Sequence, residues 1–266
     1  MHDIKPHSNE WYDRLFELQG GYFFPWKSEL PQFNGEDTYI EMLKSLFDKS
    51  LTGLDIGCGH GDIPISIAPY FKHVYAYDRV CGFIDRAIDE QTRLSLTNIT
   101  FKCSNSKGQD GVKMPFEDNS IDLFISRRGP THWIKDAKRV AKSNAICLVL
   151  IPVPSPTPIW NHLLPDAFKS DQIVDKTTQT AFVADYESRL KQNDIEVTSS
   201  WYFDVPEIFP TTFDYYQALT FGRLPDEVPS YESIKNILDD IAQKHGKDGK
   251  IEVRHARYLW KGRVNK

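Results

Sequence analysis

The sequence has little cysteine and no long apolar run, and both absences exclude classes of protein. Four cysteines occur in 266 residues, at positions 58, 81, 103 and 147, with no Cys-x-x-Cys pair. We therefore expect no zinc knuckle and no disulfide framework, and we expect four reduced thiols packed as small apolar groups in a cytoplasmic protein. The longest apolar stretch, residues 145–153, is about half of the ~20 residues that a membrane-spanning helix needs.

Glycine and proline are modest, at 15 and 16 residues, while 40% of the chain is apolar and 13% is aromatic. This composition excludes collagen-like, low-complexity and disordered chains. Residues 1–15 show no basic stretch followed by an apolar one, so we expect no secretory signal. The length favours one domain with an elaboration over two independent domains.

An overall excess of positive charge is also missing, since 32 Lys and Arg face 37 Asp and Glu. Residues 155–243 hold fifteen acidic and six basic residues, whereas residues 244–266 hold eight basic and two acidic ones. The acidic segment disfavours RNA, because it repels phosphates. Polar and apolar residues alternate in the basic segment as they do in a strand. This pattern favours a solvated edge strand and tail over a nucleic-acid patch.

Apolar periodicity predicts alternating strands and helices up to residue 153. The predicted strands are residues 51–56, 73–77, 99–103, 121–126, 146–153, 195–205 and 252–261. The predicted helices are residues 37–47 (starting at Asn34 or Gly35), a helix from near Asp62, and residues 81–94, 133–141, 159–193 and 212–245. This pattern predicts a doubly wound α/β fold with a seven-stranded, mostly parallel sheet.

We expect the single domain to have four parts. They are a helical lead-in or lid (1–48), a cofactor-binding core (49–154), helical cap insertions around strand 195–205 (155–250), and a closing strand with a tail (251–266).

The octet Leu-Asp-Ile-Gly-Cys-Gly-His-Gly at residues 54–61 lies where an apolar strand turns into a helix. Its glycines let a ligand approach the backbone closely. Asp78 follows the next predicted strand, where an acid can accept hydrogen bonds from ribose hydroxyls. Taken alone, Asp78 could instead be the N-cap of a helix. Taken alone, the glycines could instead belong to a nucleotide site of the NAD type.

Together with MPFEDNSIDLFISRRGP at residues 114–130, these motifs resemble class I S-adenosylmethionine (SAM)-dependent methyltransferases over about residues 50–153. RYLWKGR near the end resembles the last strand of that Rossmann-like fold. The resemblance implies that the glycines border the methionine part of SAM, Asp55 binds its amino group and Asp78 binds its ribose. Asn105 stands where the family usually has an aspartate beside adenine. Residues 141–144 replace the family's Pro-Gly-Gly turn. The implied cofactor-binding residues are Asp55, Gly57, Cys58, Gly59, Gly61, Asp78, Arg79, Asn105, Ser106, Ser126 and Arg127.

The methyl acceptor is expected at the carboxyl end of strand 121–126, because ligands of open α/β sheets bind there. His132 is a candidate general base, with a helix-start histidine as the alternative. The candidate substrate-binding residues are Tyr22, Trp26, Thr38, Arg128, His132, Trp160 and Asp166. Asp204 and Asp214 join Asp166 as candidate counter-charges for a cationic, aromatic acceptor, with helix caps or solvated residues as the alternative.

These residues favour a SAM-dependent N-methyltransferase that acts on an amine of a small molecule or modified peptide. The aromatic lead-in and the long insertion resemble natural-product enzymes, and the sharpest hypothesis is the N-terminal amine of an azole-containing peptide of plantazolicin type. The alternatives are an rRNA or tRNA base methyltransferase, a small-molecule O-methyltransferase and a SAM-binding sensor. We expect no metal site, no membrane partner, and a monomer or weak dimer.

Overall fold

A seven-stranded, mostly parallel sheet organises the part of the chain described by the computed structural model, namely residue 4 and residues 6–105, 107–108, 111–170 and 172–266. The strands are β1 (Thr52–Ile56), β2 (His73–Asp78), β3 (Ile99–Cys103), β4 (Lys107–Gly108), β5 (Gly111–Val112), β6 (Ile121–Arg127), β7 (Ala141–Pro152), β8 (Ile195–Phe209) and β9 (Ile251–Val264). The sheet has the order β3-β2-β1-β6-β7-β9-β8, and β4 and β5 form a separate antiparallel pair. The predicted fold class is confirmed.

Eight α-helices accompany these strands in the described residues. They are α1 (Asn9–Gln19), α2 (Gly35–Lys44), α3 (Asp62–Ile67), α4 (Cys81–Arg93), α5 (Ala137–Val140), α6 (Lys176–Gln192), α7 (Thr212–Leu219) and α8 (Tyr231–Lys244). The start of α2 follows from its sequence, because the Asn34 side chain accepts hydrogen bonds from the backbone N–H groups of Glu36 and Asp37. No helix in these residues is both long and apolar enough to cross a membrane.

The strand order places a switch point between β1 and β6. From β1 the chain moves outward to β2 and β3, then returns to the other side of β1 as β6. All of these pairings are parallel, so each connection crosses over the sheet; α3 and α4 form the crossovers from β1 to β2 and from β2 to β3. A crevice opens at the carboxyl ends of strands where the order reverses, so β1 and β6 frame the expected ligand site.

The basic closing strand is not at the edge of the sheet. β9 pairs antiparallel with both β7 and β8, so β8 is the edge strand and the edge-strand prediction is wrong. Two of its cations face carboxylates, since Arg254 Nε lies 2.8 Å from Asp204 Oδ1 and Arg257 Nε lies 2.8 Å from Glu36 Oε1. These two of the eight basic residues at this end therefore pair with acids from other parts of the fold.

Several helices are shorter than periodicity predicts. Residues 159–193 contain short 3-10 turns before α6, and residues 212–245 divide into α7 and α8. Residues 133–141 form a 3-10 turn, His132–Asp136, followed by the single turn of α5. β7 begins at Ala141, so residues 141–144 belong to a strand rather than a turn. Prolines and tertiary packing override helical periodicity in these segments.

The cysteines depart from the expectation of four reduced thiols. Cys81 and Cys103 form a disulfide with Cα atoms 5.0 Å apart, whereas Cys58 and Cys147 are free. The bond joins the first residue of α4 to the last residue of β3. The 22-residue separation in sequence gave no Cys-x-x-Cys signal, and only the parallel pairing of β2 with β3 brings the two side chains together.

Aromatic side chains join the lead-in to the late helices. The ring of Phe221 lies 5.2 Å from the ring of Trp26, 5.4 Å from that of Trp11 and 5.5 Å from that of Phe24, measured between centroids. Arg14 adds a 2.7 Å ion pair to Glu227. Rings packed against one another in this way contribute large apolar areas, so these aromatics hold the lead-in against the segment around α7.

Candidate functional site

The glycine turn between β1 and α3 is held by β2 and by the segment that follows β6. The backbone N–H groups of Gly57 and Cys58 donate to the carbonyl of Tyr77, at 3.0 and 3.1 Å. Gly57 has φ +70°, and a Cβ atom there would lie 2.4 Å from Pro130 Cδ. A side chain is therefore excluded both by backbone conformation and by space.

Asp78 closes this turn from the end of β2. Its Oδ2 accepts a hydrogen bond from the backbone N–H of Gly59, and its Oδ1 accepts one from that of Val80, both at 3.0 Å. Each carboxylate oxygen has two lone pairs, so Asp78 can hold the turn and still accept further hydrogen bonds. The structure thus joins the two motifs that the sequence singled out.

A cavity of about 430 Å³ opens at the switch point, beside the glycine turn. This volume lies within the range of small-molecule sites. Eleven predicted site residues line it: Tyr22, Asp55, Gly57, Cys58, Gly59, Asp78, Arg79, Asn105, Arg127, Arg128 and His132. Cofactor candidates from β1 and β2 and acceptor candidates from the end of β6 therefore share one space.

Comparisons with known proteins agree with this geometry. Residues 54–149 match the model of a family described as a methyltransferase domain. A functionally unknown protein from Deinococcus radiodurans superposes with a TM-score of 0.64 at 21% identity, over 96% of this chain and 100% of that one. Geranyl diphosphate C-methyltransferase from Streptomyces coelicolor superposes with a TM-score of 0.51 at 12% identity, over 86% of this chain and 79% of that one.

Residues 54–149 therefore form a methyltransferase domain, within a seven-stranded sheet of Rossmann-like strand order. A curated relative, an uncharacterised RNA methyltransferase of Staphylococcus epidermidis, is 36% identical over 80 residues, covering 29% of this chain and 18% of that protein. The chain spans about a fifth of the length of the curated relatives that it matches.

The charges of the cavity fit SAM as the cofactor of this methyltransferase domain. Burial, and after it the charge of Asp78, raise the pKa of Asp55 to about 7. Burial also raises the pKa of Asp78. Within the described residues, neither carboxylate takes part in an ion pair. A buried acid and a half-buried acid, neither of them in an ion pair, suit a ligand that brings positive charge, as SAM does on its ammonium and sulfonium groups.

A buried glutamate that the sequence did not single out anchors an arginine at the end of β6. Glu36, at the start of α2, accepts hydrogen bonds from Arg127 Nε and from Arg257 Nε, both at 2.8 Å. Burial opposes its ionisation, but His255 and three arginines, Arg127, Arg128 and Arg257, outweigh burial and hold the pKa of Glu36 well below its usual range. No local motif marks Glu36, since its partners are 91 and 221 residues away in sequence.

The lead-in covers the cavity with residues that were not predicted. His7, Asn9 and Tyr12 line it together with Tyr22. The backbone N–H of Tyr22 donates to His60 Nδ1 at 3.2 Å, which ties the lead-in to the glycine octet. The aromatic richness of residues 11–33 was a usable signal for Tyr12, whereas nothing local pointed to His7 or Asn9.

Two predicted cofactor residues lie next to the cavity without lining it. Gly61 begins α3, and a Cβ atom there would lie 2.8 Å from Ala87 Cβ, so its role is close packing. Ser126 is buried and its hydroxyl donates to the carbonyl of Ile56 at 3.1 Å, which joins β6 to β1. A third predicted residue, Ser106, lies outside the described residues.

Four predicted substrate residues do not line the cavity. Trp26 packs against Phe221, and Trp160 is buried in the hydrophobic cluster formed with α7 and α8. Thr38 donates its hydroxyl to the Asn34 carbonyl. Asp166 is exposed and pairs with Lys169 at 2.7 Å.

The remaining acidic candidates are also satisfied by protein groups. Asp204 pairs with Arg254, and Asp214 accepts hydrogen bonds from the backbone N–H of Lys27 and from the Thr211 hydroxyl. The acids of residues 155–243 that were expected to attract a cationic acceptor therefore bind neighbouring residues instead.

Proposed function

We propose that this chain transfers a methyl group from SAM to an amine of a small molecule or peptide. The observation that carries the proposal is the shared cavity, in which the acids of β1 and β2 face the basic end of β6. Methyl transfer from a sulfonium needs mainly alignment and exclusion of water, and a cavity covered by the lead-in supplies both.

The cofactor roles follow from the placement of the two acids. Asp55 binds the ammonium group of SAM, and Asp78 accepts hydrogen bonds from its ribose while it holds Gly59. Asn105, at the end of the same cavity, contacts adenine. Support comes from the Streptomyces coelicolor enzyme of the same fold, whose structure contains S-adenosyl-L-homocysteine together with geranyl diphosphate.

The acceptor binds at the end of β6, where His132 lines the cavity. An imidazole titrates near neutral pH, so His132 suits the removal of a proton from an incoming ammonium or from the methylated product. Methylation of an azole-containing peptide of plantazolicin type stays a prediction. It requires that the N-terminal amine of the peptide reaches the cavity past the lead-in.

RNA is the second candidate acceptor, because the Staphylococcus epidermidis relative is described as an RNA methyltransferase. The charge of residues 155–243, fifteen acids against six bases, speaks against a long phosphate chain on this side of the molecule. Arg254 and Arg257 of the basic closing strand are already paired with carboxylates.

The test offers SAM labelled on its methyl group together with three acceptor sets: aromatic amines, the matching phenols, and a structured rRNA fragment. We expect label on at least one amine and SAH as the second product. Label on RNA alone, or on phenols alone, contradicts the amine proposal. Tight SAM binding with no transfer to any set indicates a SAM-binding sensor. An Asp89→Ala variant, changed at an exposed position of α4, is the matched control for site variants.

A further inference from the structure

Arg128 is held in the cavity by an uncommon backbone conformation. It follows β6 directly, has φ +63°, and donates its backbone N–H to the carbonyl of Leu150 at 2.7 Å. A non-glycine residue in the left-handed region is energetically costly, and such residues cluster at functional sites. The conformation turns the chain so that both Arg127 and Arg128 line the cavity.

The guanidinium of Arg128 has no carboxylate of its own. Arg127 and Arg257 take the hydrogen bonds to Glu36, and Arg128 Nε stays 3.9 Å from Glu36 Oε1, beyond hydrogen-bond distance. Within the described residues the Arg128 guanidinium makes no hydrogen bond, and it stacks 5.1 Å above the ring of Phe24. The aromatic face orients the group without neutralising it.

The surrounding charge is unbalanced in favour of cations. One buried carboxylate, Glu36, lies within 4 Å of three guanidinium groups, and the nearby Glu207 carboxylate is engaged by His255. Burial lowers the pKa of Arg128, and the charges of Arg127 and Arg257 lower it further, although Glu36 opposes them. An anion at this position would relieve the imbalance through charge-assisted hydrogen bonds.

We propose that Arg128 binds an anionic group, a carboxylate or a phosphate, on the methyl acceptor. This inference rests on the proposed function, because it places the acceptor at the end of β6. It also changes the expected acceptor: a cationic molecule at the end of β6 would face Arg127 and Arg128, whereas the acids once expected to receive it are engaged elsewhere.

The cofactor's own carboxylate is the competing source of the anion. In SAM the carboxylate and the ammonium group share one carbon, so the carboxylate must lie near Asp55. The charge of Arg127 acts on Asp55. The charge of Arg128 acts on Glu36, Tyr22 and Tyr12. Arg127 is therefore better placed for the cofactor, which leaves Arg128 for the acceptor.

The experiment measures binding of benzoate, phenyl phosphate and the neutral analogue benzamide to protein saturated with SAH, by calorimetry. We expect at least one anion to bind about tenfold more tightly than benzamide or better, as one charge-assisted hydrogen bond provides. Arg128→Gln removes this preference, and Arg128→Lys retains part of it. Arg254→Gln, which removes an arginine paired with Asp204, keeps the wild-type preference.

Three results overturn the inference. The first is the absence of any preference for the anions over benzamide in the wild-type protein. The second is a preference that survives in Arg128→Gln. The third is a loss of SAM affinity in Arg128→Gln equal to the loss of anion affinity, which assigns Arg128 to the cofactor. Thermal unfolding verifies that the variants fold. If Arg128→Gln does not fold, the anion preference of Arg128→Lys decides the question. All of these measurements are of binding or unfolding and need no turnover. A failure of the proposed methyl transfer can therefore be distinguished from a failure of this inference.

Discussion

Asp78 Oδ2 accepts a hydrogen bond of 3.0 Å from the backbone N–H of Gly59. The acid at the end of β2 thus holds the glycine turn that follows β1, and it remains available to a ligand through its other lone pairs. A substitution at Asp78 therefore changes two things, a direct contact with the cofactor and the shape of the turn. Variants that separate the two effects are more informative than removal of the side chain alone.

Asp78→Ala is expected to weaken SAM binding by about 10- to 100-fold, since a hydrogen bond to a charged group contributes about 1.5–3 kcal/mol. Asp78→Asn keeps one acceptor oxygen and is expected to lose less. Calorimetric titration with SAM measures both, with Asp89→Ala as the control. Equal affinities in wild type and Asp78→Ala would show that the acid does not contact the cofactor.

Binding of SAM is expected to depend on pH through Asp55. Its pKa is raised to about 7, so below pH 7 the free protein carries a protonated acid that must lose its proton to bind an ammonium group. Affinity then falls by up to about tenfold per pH unit below 7, and protons are released on binding. Calorimetry in buffers of different ionisation enthalpy detects the release. A flat affinity between pH 5.5 and 8, or unchanged pH dependence in Asp55→Asn, contradicts this assignment.

Gly57→Ala is expected to lower both stability and SAM affinity, because Gly57 has φ +70° and Pro130 Cδ occupies the place of a Cβ atom. Strain and overpacking of this kind cost about 1–3 kcal/mol. Gly53→Ala in β1 is the matched control, since a Cβ atom there meets nothing within 4 Å. Urea unfolding measures the stability of both variants, and we expect a lower midpoint for Gly57→Ala than for Gly53→Ala. Equal midpoints would mean that the turn accommodates the added Cβ atom without strain.

The pH dependence of stability is expected to reflect His255. Burial disfavours its charged form, but the hydrogen bond with Glu207 and the Glu36 carboxylate 3.6 Å away outweigh burial and raise the pKa of His255 above the ordinary value of about 6.5. The stabilisation is complete below about pH 6.5 and is lost as the pH rises through the folded-state pKa. The free energy of unfolding should therefore decline on the alkaline side, and His255→Asn should remove that decline. An identical decline in the variant would assign it to another group.

Reduction of the Cys81–Cys103 disulfide is expected to destabilise the fold. The bond closes a loop with a sequence separation of 22 residues. A cross-link of that length contributes about 3 kcal/mol. Urea unfolding with and without a reductant measures the effect, and a Cys81→Ser/Cys103→Ser variant should not respond to the reductant. A wild-type protein whose midpoint ignores the reductant would show that the bond is absent or inaccessible.

The sequence by itself determined the fold class and the cofactor end of the site. The octet at residues 54–61 and Asp78 lie within 25 residues of each other, in one strand–turn–helix–strand unit. Local chemistry specifies such a unit, since glycine permits the turn and parallel strands bring their carboxyl ends to one edge.

The acceptor end was decided by tertiary structure alone. Glu36, Arg127 and Arg257 meet across 91 and 221 residues, because the closing strand lies inside the sheet rather than at its edge. The position of β9 in turn gives Asp204 its partner Arg254, so acids that look available in the sequence are neutralised in the fold. Net charge along a chain does not reveal which charges pair, whereas the strand order does, and here it leaves Arg128 without a carboxylate of its own.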